Sequence, residues 1–225
     1  MIFNSSTAGL IFDLDGTLLD TEPLYSVASQ KVLDRFGEVY TPELKRRVMG
    51  GDSHKSAQIV IDEFGLPLTS TEYLALREVH LVELFARCAE IEGAGAFVTA
   101  VSDTSVPFGL ATSSHRYLRD IKLGNKAWGD LFHATICGDN PALKRGKPAP
   151  DIFLLCAAAL NVDPTQCVAF EDSRNGIAAA RAAGMTVVAL NSPYVVAADL
   201  AEADTIINNF TEALPWLDVF RTGTP

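Results

Sequence analysis

Leu10-Ile11-Phe12-Asp13-Leu14-Asp15-Gly16-Thr17 is the stretch on which the fold turns. Three apolar residues run without alternation and stop at an acidic residue. Five more runs behave alike. Phe108–Ala111 stops at Thr112, Ala134–Cys137 at Gly138 and Cys167–Phe170 at Glu171. Thr186–Leu190 stops at Asn191, and Thr205–Ile207 at Asn208. Short, often β-branched runs that do not alternate are how strands buried on both faces read, so a parallel sheet is expected. Helical patterns lie between them. Ser114 caps a helix to about Leu123 with Gly124 as its stop, and Asp151–Leu160 is periodic and apolar behind Pro148 and Pro150. Ala-rich Arg174–Ala183 ends at Gly184, which suits the left-handed position after a helix. Strand alternating with helix gives an α/β domain, doubly wound or close to it if its crossovers are right-handed.

One segment breaks the alternation. From Thr21 to Glu92 the pattern holds helices and no convincing strand. Glu22–Phe36 repeats Leu24, Val27, Ala28, Val32 and Phe36 at helical spacing. Thr41-Pro42 reads as an N-cap followed by Pro at the first helical position, and Gly65 closes a helix over Ser56–Phe64. Thr69 with Glu72 fits a capping box and opens a helix to about Cys88. The expected organisation is a core of residues 1–20 and 93–225 interrupted by a helical insert at 21–92. An insert after the first strand is a candidate lid.

The chain has 225 residues and a net charge of -10, from 18 basic and 28 acidic side chains. That balance argues against a nucleic-acid partner, which requires basic surface. The apolar runs are too short to span a bilayer, so no membrane role is expected. The N-terminal residues carry neither basic charge nor a long apolar region and do not read as a signal peptide. Cys88, Cys137, Cys156 and Cys167 have no metal-type spacing and sit among apolar residues. They read as buried thiols in a reducing, cytoplasmic setting. His80, His115 and His133 stand alone, and Trp128 and Trp216 read as packing residues.

In open α/β sheets, ligands bind beyond the carboxyl ends of the strands. The residues just past the apolar runs include Asp13 and Asp15, Thr112 and Ser113, and Glu171 and Asp172, with Lys147 ahead of a helix. Four carboxylates at one sheet edge repel by several kcal/mol even at an effective dielectric of about 20, so a cation is required. Oxygen ligands without His or Cys select a hard ion, Mg²⁺ first. Such an ion suits a phosphate ester. Ser113 and Ser114, at a helix N-terminus, favour an anion, and Lys147 adds positive charge. Asp13 can attack phosphorus while Asp15, one step further out, gives and takes a proton.

Asp13-Leu14-Asp15-Gly16-Thr17 after an apolar strand resembles motif I of the haloacid dehalogenase superfamily. Thr112, Lys147 and Glu171-Asp172 fall where that superfamily has motifs II, III and IV, in order and over the whole chain. Phe12–Thr21, Gly146–Phe153 and Phe170–Met185 resemble the subgroup with a helical cap after motif I, which includes β-phosphoglucomutase and phosphoglycolate phosphatase. Leu24–Val27, Val48-Met49-Gly50 and Gly138–Pro141 look most like the pseudouridine-5′-phosphatase branch. The resemblance implies a Rossmann-like parallel sheet with an inserted α-helical cap. It implies Asp13 as nucleophile, Asp15 as general acid and base, and Lys147 restraining Asp13. Mg²⁺ would be held by Asp13, the Asp15 carbonyl and Asp172, with Glu171 beside it. Thr112, Ser113, Leu14 and Lys147 would bind the phosphoryl group of a small phosphate ester.

Tyr25 stands where the mutase has a histidine, and Gly51, Asp52 and Ser53 stand where it has a phosphate-gripping arginine. Transfer to water is therefore the simpler expectation. A sugar-phosphate mutase and a catalytically silent phospho-ligand binder are the alternatives. Asp20 and Thr21 either mark the passage to the cap or cap the next helix. His54, Lys55, Arg46 and Arg47 read as solvated, and Gly176 as a close-packing position.

Overall fold

The computed structural model describes residues 2–4, 6–48 and 53–221, so the readings at Met49, Gly50, Gly51 and Asp52 lie outside the described residues. The chain forms two compact units, Met1–Asp20 with Ala89–Pro225, and Thr21–Cys88. The second boundary falls four residues before the expected one. Ala89 and Glu90 pair with Asp20 and Leu19, which draws them into the larger unit.

In chain order the larger unit opens with β1 (Gly9–Phe12) and β2 (Leu19–Asp20). The smaller unit contributes α1 (Glu22–Leu33), α2 (Pro42–Val48), α3 (Ser53–Phe64) and α4 (Ser70–Phe85). The larger unit resumes with β3 (Ala89–Glu90), α5 (Ala94–Ser102), β4 (Phe108–Ala111), α6 (Arg116–Leu123) and β5 (Ala134–Ile136). It continues through α7 (Asp151–Leu160), β6 (Cys167–Glu171), α8 (Arg174–Ala182), β7 (Thr186–Leu190), β8 (Thr205–Ile207) and α9 (Asp218–Arg221).

The six apolar runs form one sheet in the order β5-β4-β1-β6-β7-β8, every pair parallel. Strands β1, β4 and β5 step outward on one side. The chain then returns to lay β6, β7 and β8 on the other side of β1. This reversal leaves a crevice at the carboxyl end of β1, where such sheets bind ligands. Register sets the contents of the crevice. Phe12 lies opposite Leu110 and Phe170, so the residues after β1, β4 and β6 emerge together.

Side chains bury both faces of the sheet, which is why the runs do not alternate. On one face Phe12 stacks on Phe170 at 4.8 Å, with Phe97 and Phe210 packed around them. On the other, Ile11, Ala111, Ala169 and Ala189 meet Ile152, Phe153 and Cys156 of α7 and Ile177 and Ala180 of α8.

Two features of the larger unit depart from the sequence reading. The ribbon β2–β3 has two residues per strand, too few for periodicity. Helix α5 was hidden by a short Ala- and Val-rich sequence whose outer side is mostly small residues, with Ala94, Phe97, Val98 and Val101 buried.

The smaller unit packs Val32, Leu33, Leu44, Ala57, Val60, Ile61, Leu66 and Tyr73 into its own core. Thr41 caps α2, its Oγ1 accepting the Leu44 N–H at 3.1 Å, and the Thr69–Glu72 capping box is complete. Helix α1 tightens into a 3₁₀ turn over Asp34–Phe36 before Gly37 at φ 75°. Helix α3 begins three residues before the expected Ser56, and α4 ends at Phe85 rather than Cys88. Thr21 occupies the N-cap position of α1, but its side chain makes no capping bond. His54, Lys55, Arg46 and Arg47 are exposed. Among the described residues no helix is long and apolar enough to cross a membrane.

Candidate active site

Asp13 is the first residue past β1. Its N–H donates to Phe170 O at 2.9 Å, extending the ladder by one bond and fixing its Cα at the sheet edge. Its side chain is buried and accepts a bond from Lys147 Nζ at 2.5 Å. The same ammonium donates to Glu171 Oε1 at 2.5 Å and to Ala111 O at 3.1 Å. Lys147 thus ties together the ends of β1, β4 and β6.

Glu171 is 1% exposed. Its Oε2 accepts the N–H groups of Asp172 and Ser173 and the Ser173 hydroxyl, each at 3.0 Å. Ser173 Oγ also caps α8 by accepting the Gly176 N–H. A Cβ on Gly176 would stand 1.8 Å from Glu171 Oε1, so the missing side chain is what lets the carboxylate lie against the helix. Close packing, as expected for Gly176, here serves the site directly. Gly16 does the same for Asp172. It turns the chain at φ +83°, and a Cβ there would stand 2.1 Å from Asp172 Oδ2. Thr17, fully buried, donates to Asp172 Oδ1 at 3.0 Å.

Asp13, Glu171 and Asp172 each present one carboxylate oxygen within 4.8 Å of the others. Lys147 pairs with Asp13 and Glu171, and a cation among the three buried acids would balance their charge further. The donors are all oxygen, and two glycines clear space for them, so the set fits a hard divalent ion.

Thr112 follows β4, is fully buried and braces the next turn, its Oγ1 accepting the Ser114 N–H at 3.1 Å. Among the described residues the Leu14 and Ser113 N–H groups donate to no protein acceptor. Two expectations are corrected here. Helix α6 starts at Arg116 with His115 as N-cap, and Ser114 does not cap it. The first N–H of α6, on Arg116, donates to Asp139 Oδ1 at 3.0 Å, so a carboxylate of the chain already satisfies that helix start. Gly124 ends the helix in the right-handed conformation, at φ -56°.

Asp15 has partners the sequence reading did not contain. Its Oδ1 accepts from Lys122 Nζ at 2.5 Å and its Oδ2 from Ser114 Oγ at 2.8 Å. Lys122 falls on the inner side of α6, a charged residue in a buried position. That misfit between residue type and helical face was the available signal.

Electrostatics follow burial. Desolvation raises the Asp13 carboxyl from 3.8 to about 7, with Lys147 opposing and Glu171 and Asp15 reinforcing. Burial pulls Lys147 down, but Asp13 and Glu171 outweigh it and hold the ammonium charged above its usual range. In metal-free protein, the stability contributed by protonated Asp13 is full below pH 3.8. It is lost as pH rises towards about 7, at roughly 1.4 kcal/mol per pH unit. The expected result in EDTA is that the stability of wild type relative to Asp13→Asn declines across that window and is flat above it. Denaturant titrations at each pH read this, and a difference independent of pH would contradict it.

The four cysteines are all buried, and burial pushes Cys156 up to about 12. His133 is exposed, and its Nδ1 accepts the Phe108 N–H at 3.2 Å.

Residues 10–190 match the family described as haloacid dehalogenase-like hydrolase. The chain is 34% identical over 209 residues to the "Probable pseudouridine-5'-phosphatase" of Drosophila melanogaster, covering 91% of this chain and 90% of that protein. It is 33% identical to (DL)-glycerol-3-phosphatase 2 of Arabidopsis thaliana, with 93% and 90% covered. The crystal structure of a HAD family hydrolase from Deinococcus radiodurans R1, with bound phosphate and sodium, superposes with a TM-score of 0.79 at 25% identity. That match covers 96% of this chain and 97% of the other.

Proposed function

The chain belongs to the haloacid dehalogenase-like hydrolase family, and we propose that it is a Mg²⁺-dependent phosphatase acting on a small phosphate monoester through an aspartyl-phosphate. The buried cluster of Asp13, Glu171 and Asp172 around Lys147 carries this reading. In it the larger unit is the catalytic core and the helical unit its cap, in a cytoplasmic enzyme whose partner is its substrate.

Asp13, Asp172 and the Asp15 carbonyl would hold Mg²⁺, with Glu171 beside it. The ion would supply charge neutralisation for the phosphoryl oxygens. An Asp13 oxygen attacks phosphorus as the ester P–O bond breaks, and Asp15 gives its proton to the departing oxygen. Water then attacks phosphorus and gives a proton to Asp15, and the acyl-phosphate bond breaks to restore Asp13. Lys147 aligns Asp13 and, with Thr112 and the Leu14 and Ser113 N–H groups, receives the phosphoryl group.

Water as acceptor is favoured by Tyr25. It lies edge-on to Phe85 at 5.6 Å between ring centroids, with the Arg77 guanidinium 5.5 Å from its own, and supplies no imidazole. The leaving group is a hydroxyl-bearing sugar or nucleoside. The relatives support that class, among them a probable pseudouridine-5'-phosphatase and a fructose-1-phosphate phosphatase of Escherichia coli. The test is release of inorganic phosphate from sugar phosphates and nucleoside monophosphates, with p-nitrophenyl phosphate as the general probe. Activity is expected to vanish in EDTA and return with Mg²⁺. Full activity in EDTA would overturn the reading.

A further inference from the structure

Lys122 is the most deeply buried lysine among the described residues, with a side chain 0% exposed. An ammonium is retained in such a place only if it is paired and hydrogen-bonded. Its partners form a closed triangle at the end of β1. Lys122 Nζ donates to Asp15 Oδ1 at 2.5 Å and to Ser114 Oγ at 2.8 Å, and Ser114 Oγ donates to Asp15 Oδ2 at 2.8 Å. Both oxygens of one carboxylate are gripped from one side. The Ser114 N–H is itself tied to Thr112 Oγ1, so the grip is anchored to the loop after β4.

A methionine would fill the same space on α6 without desolvating a charge. Packing therefore gives no reason for a lysine here, whereas holding a carboxylate does. Asp15 is 23% exposed at its side chain, and a carboxylate so placed turns freely about two bonds unless it is held. Proton transfer requires the acid within hydrogen-bond reach of the departing oxygen.

We propose that Lys122, with Ser114, is a positioning residue that fixes the Asp15 carboxylate at the angle from which it serves the leaving oxygen. This rests on the reading of Asp15 as general acid and base. The proton that moves is carried by Asp15, to the leaving oxygen in the first half-reaction and from water in the second.

The experiment measures phenol release in single turnovers, enzyme in excess, from 2,4-dinitrophenyl, p-nitrophenyl and phenyl phosphate. The first leaving group departs without a proton, and the last requires one. General acid catalysis is worth about 10²–10⁴-fold where a proton is required. Asp15→Asn is therefore expected to slow phenyl phosphate by about 100-fold more than 2,4-dinitrophenyl phosphate. Lys122→Met is expected to reproduce that split at about tenfold or more, with Mg²⁺ affinity unchanged. Ser114→Ala, at a half-buried position, is expected to give a smaller split of the same sign and serves if Lys122→Met does not fold. If Asp15→Asn shows the split while both Lys122→Met and Ser114→Ala slow the three esters equally or not at all, the positioning role is overturned and the acid stands. If Asp15→Asn shows no split, the acid reading fails and the inference falls with it.

Discussion

Asp13→Asn is expected to lower phosphate-ester turnover by about 10⁴-fold or more while leaving the protein folded. The side chains have the same shape, and an amide oxygen can still accept the Lys147 bond. What is lost is the anionic nucleophile. Loss through unfolding is not expected, because ionised Asp13 is itself a liability when the site lacks metal: burial lifts its carboxyl to about 7. The variant is expected to be at least as stable as wild type at pH 8 in EDTA, so activity and stability move in opposite directions. Steady-state kinetics with p-nitrophenyl phosphate at saturating Mg²⁺, read beside a thermal melt, checks both. Activity within tenfold of wild type would remove Asp13 from the mechanism.

Lys147→Met is expected to cost both rate and stability. The lysine is 7% exposed and bridges two buried carboxylates, one of them 1% exposed. Removing one partner of a buried ion pair costs about 3–5 kcal/mol, because the remaining charge has neither water nor counter-ion. Here Asp13 can escape part of that cost by taking a proton, so the loss grows with pH. Added Mg²⁺ restores positive charge to the same cluster. It is therefore expected to raise the melting temperature of Lys147→Met more than that of wild type. Turnover is expected to remain about 10²–10³-fold down even in excess Mg²⁺, because the cation that aligns Asp13 is gone. Equal Mg²⁺-induced shifts in the two proteins would show that lysine and metal do not share a charge cluster.

Much of this was legible in the chain itself. The six strand positions follow from apolar runs, because burial on both faces removes alternation. The carboxylates follow from where those runs stop, since a parallel sheet must present its strand ends along one edge. What the pattern did not carry is local or three-dimensional. Two-residue strands β2 and β3 leave no period to detect. Helix α5 is short and has mostly small residues on its outer side, so its buried stripe stands out weakly. Ser114 fits a helix cap in every local respect, yet a carboxylate 99 residues away in the chain takes its hydroxyl. Lys122 in sequence is one lysine near the end of an amphipathic helix. Its helical face hints at burial, but only the fold shows that Asp15 is its partner. The start of α6 likewise looks like an anion site until Asp139 is seen to occupy it.

The most direct test is to trap the covalent intermediate. Enzyme with Mg²⁺ and a turned-over phosphate ester is quenched in acid within one turnover and digested, and its peptides are weighed. The account predicts one phosphoryl adduct, on the peptide containing Asp13, absent in EDTA and absent in Asp13→Asn. Mg²⁺-dependent turnover with no adduct, or an adduct on another residue, would contradict it.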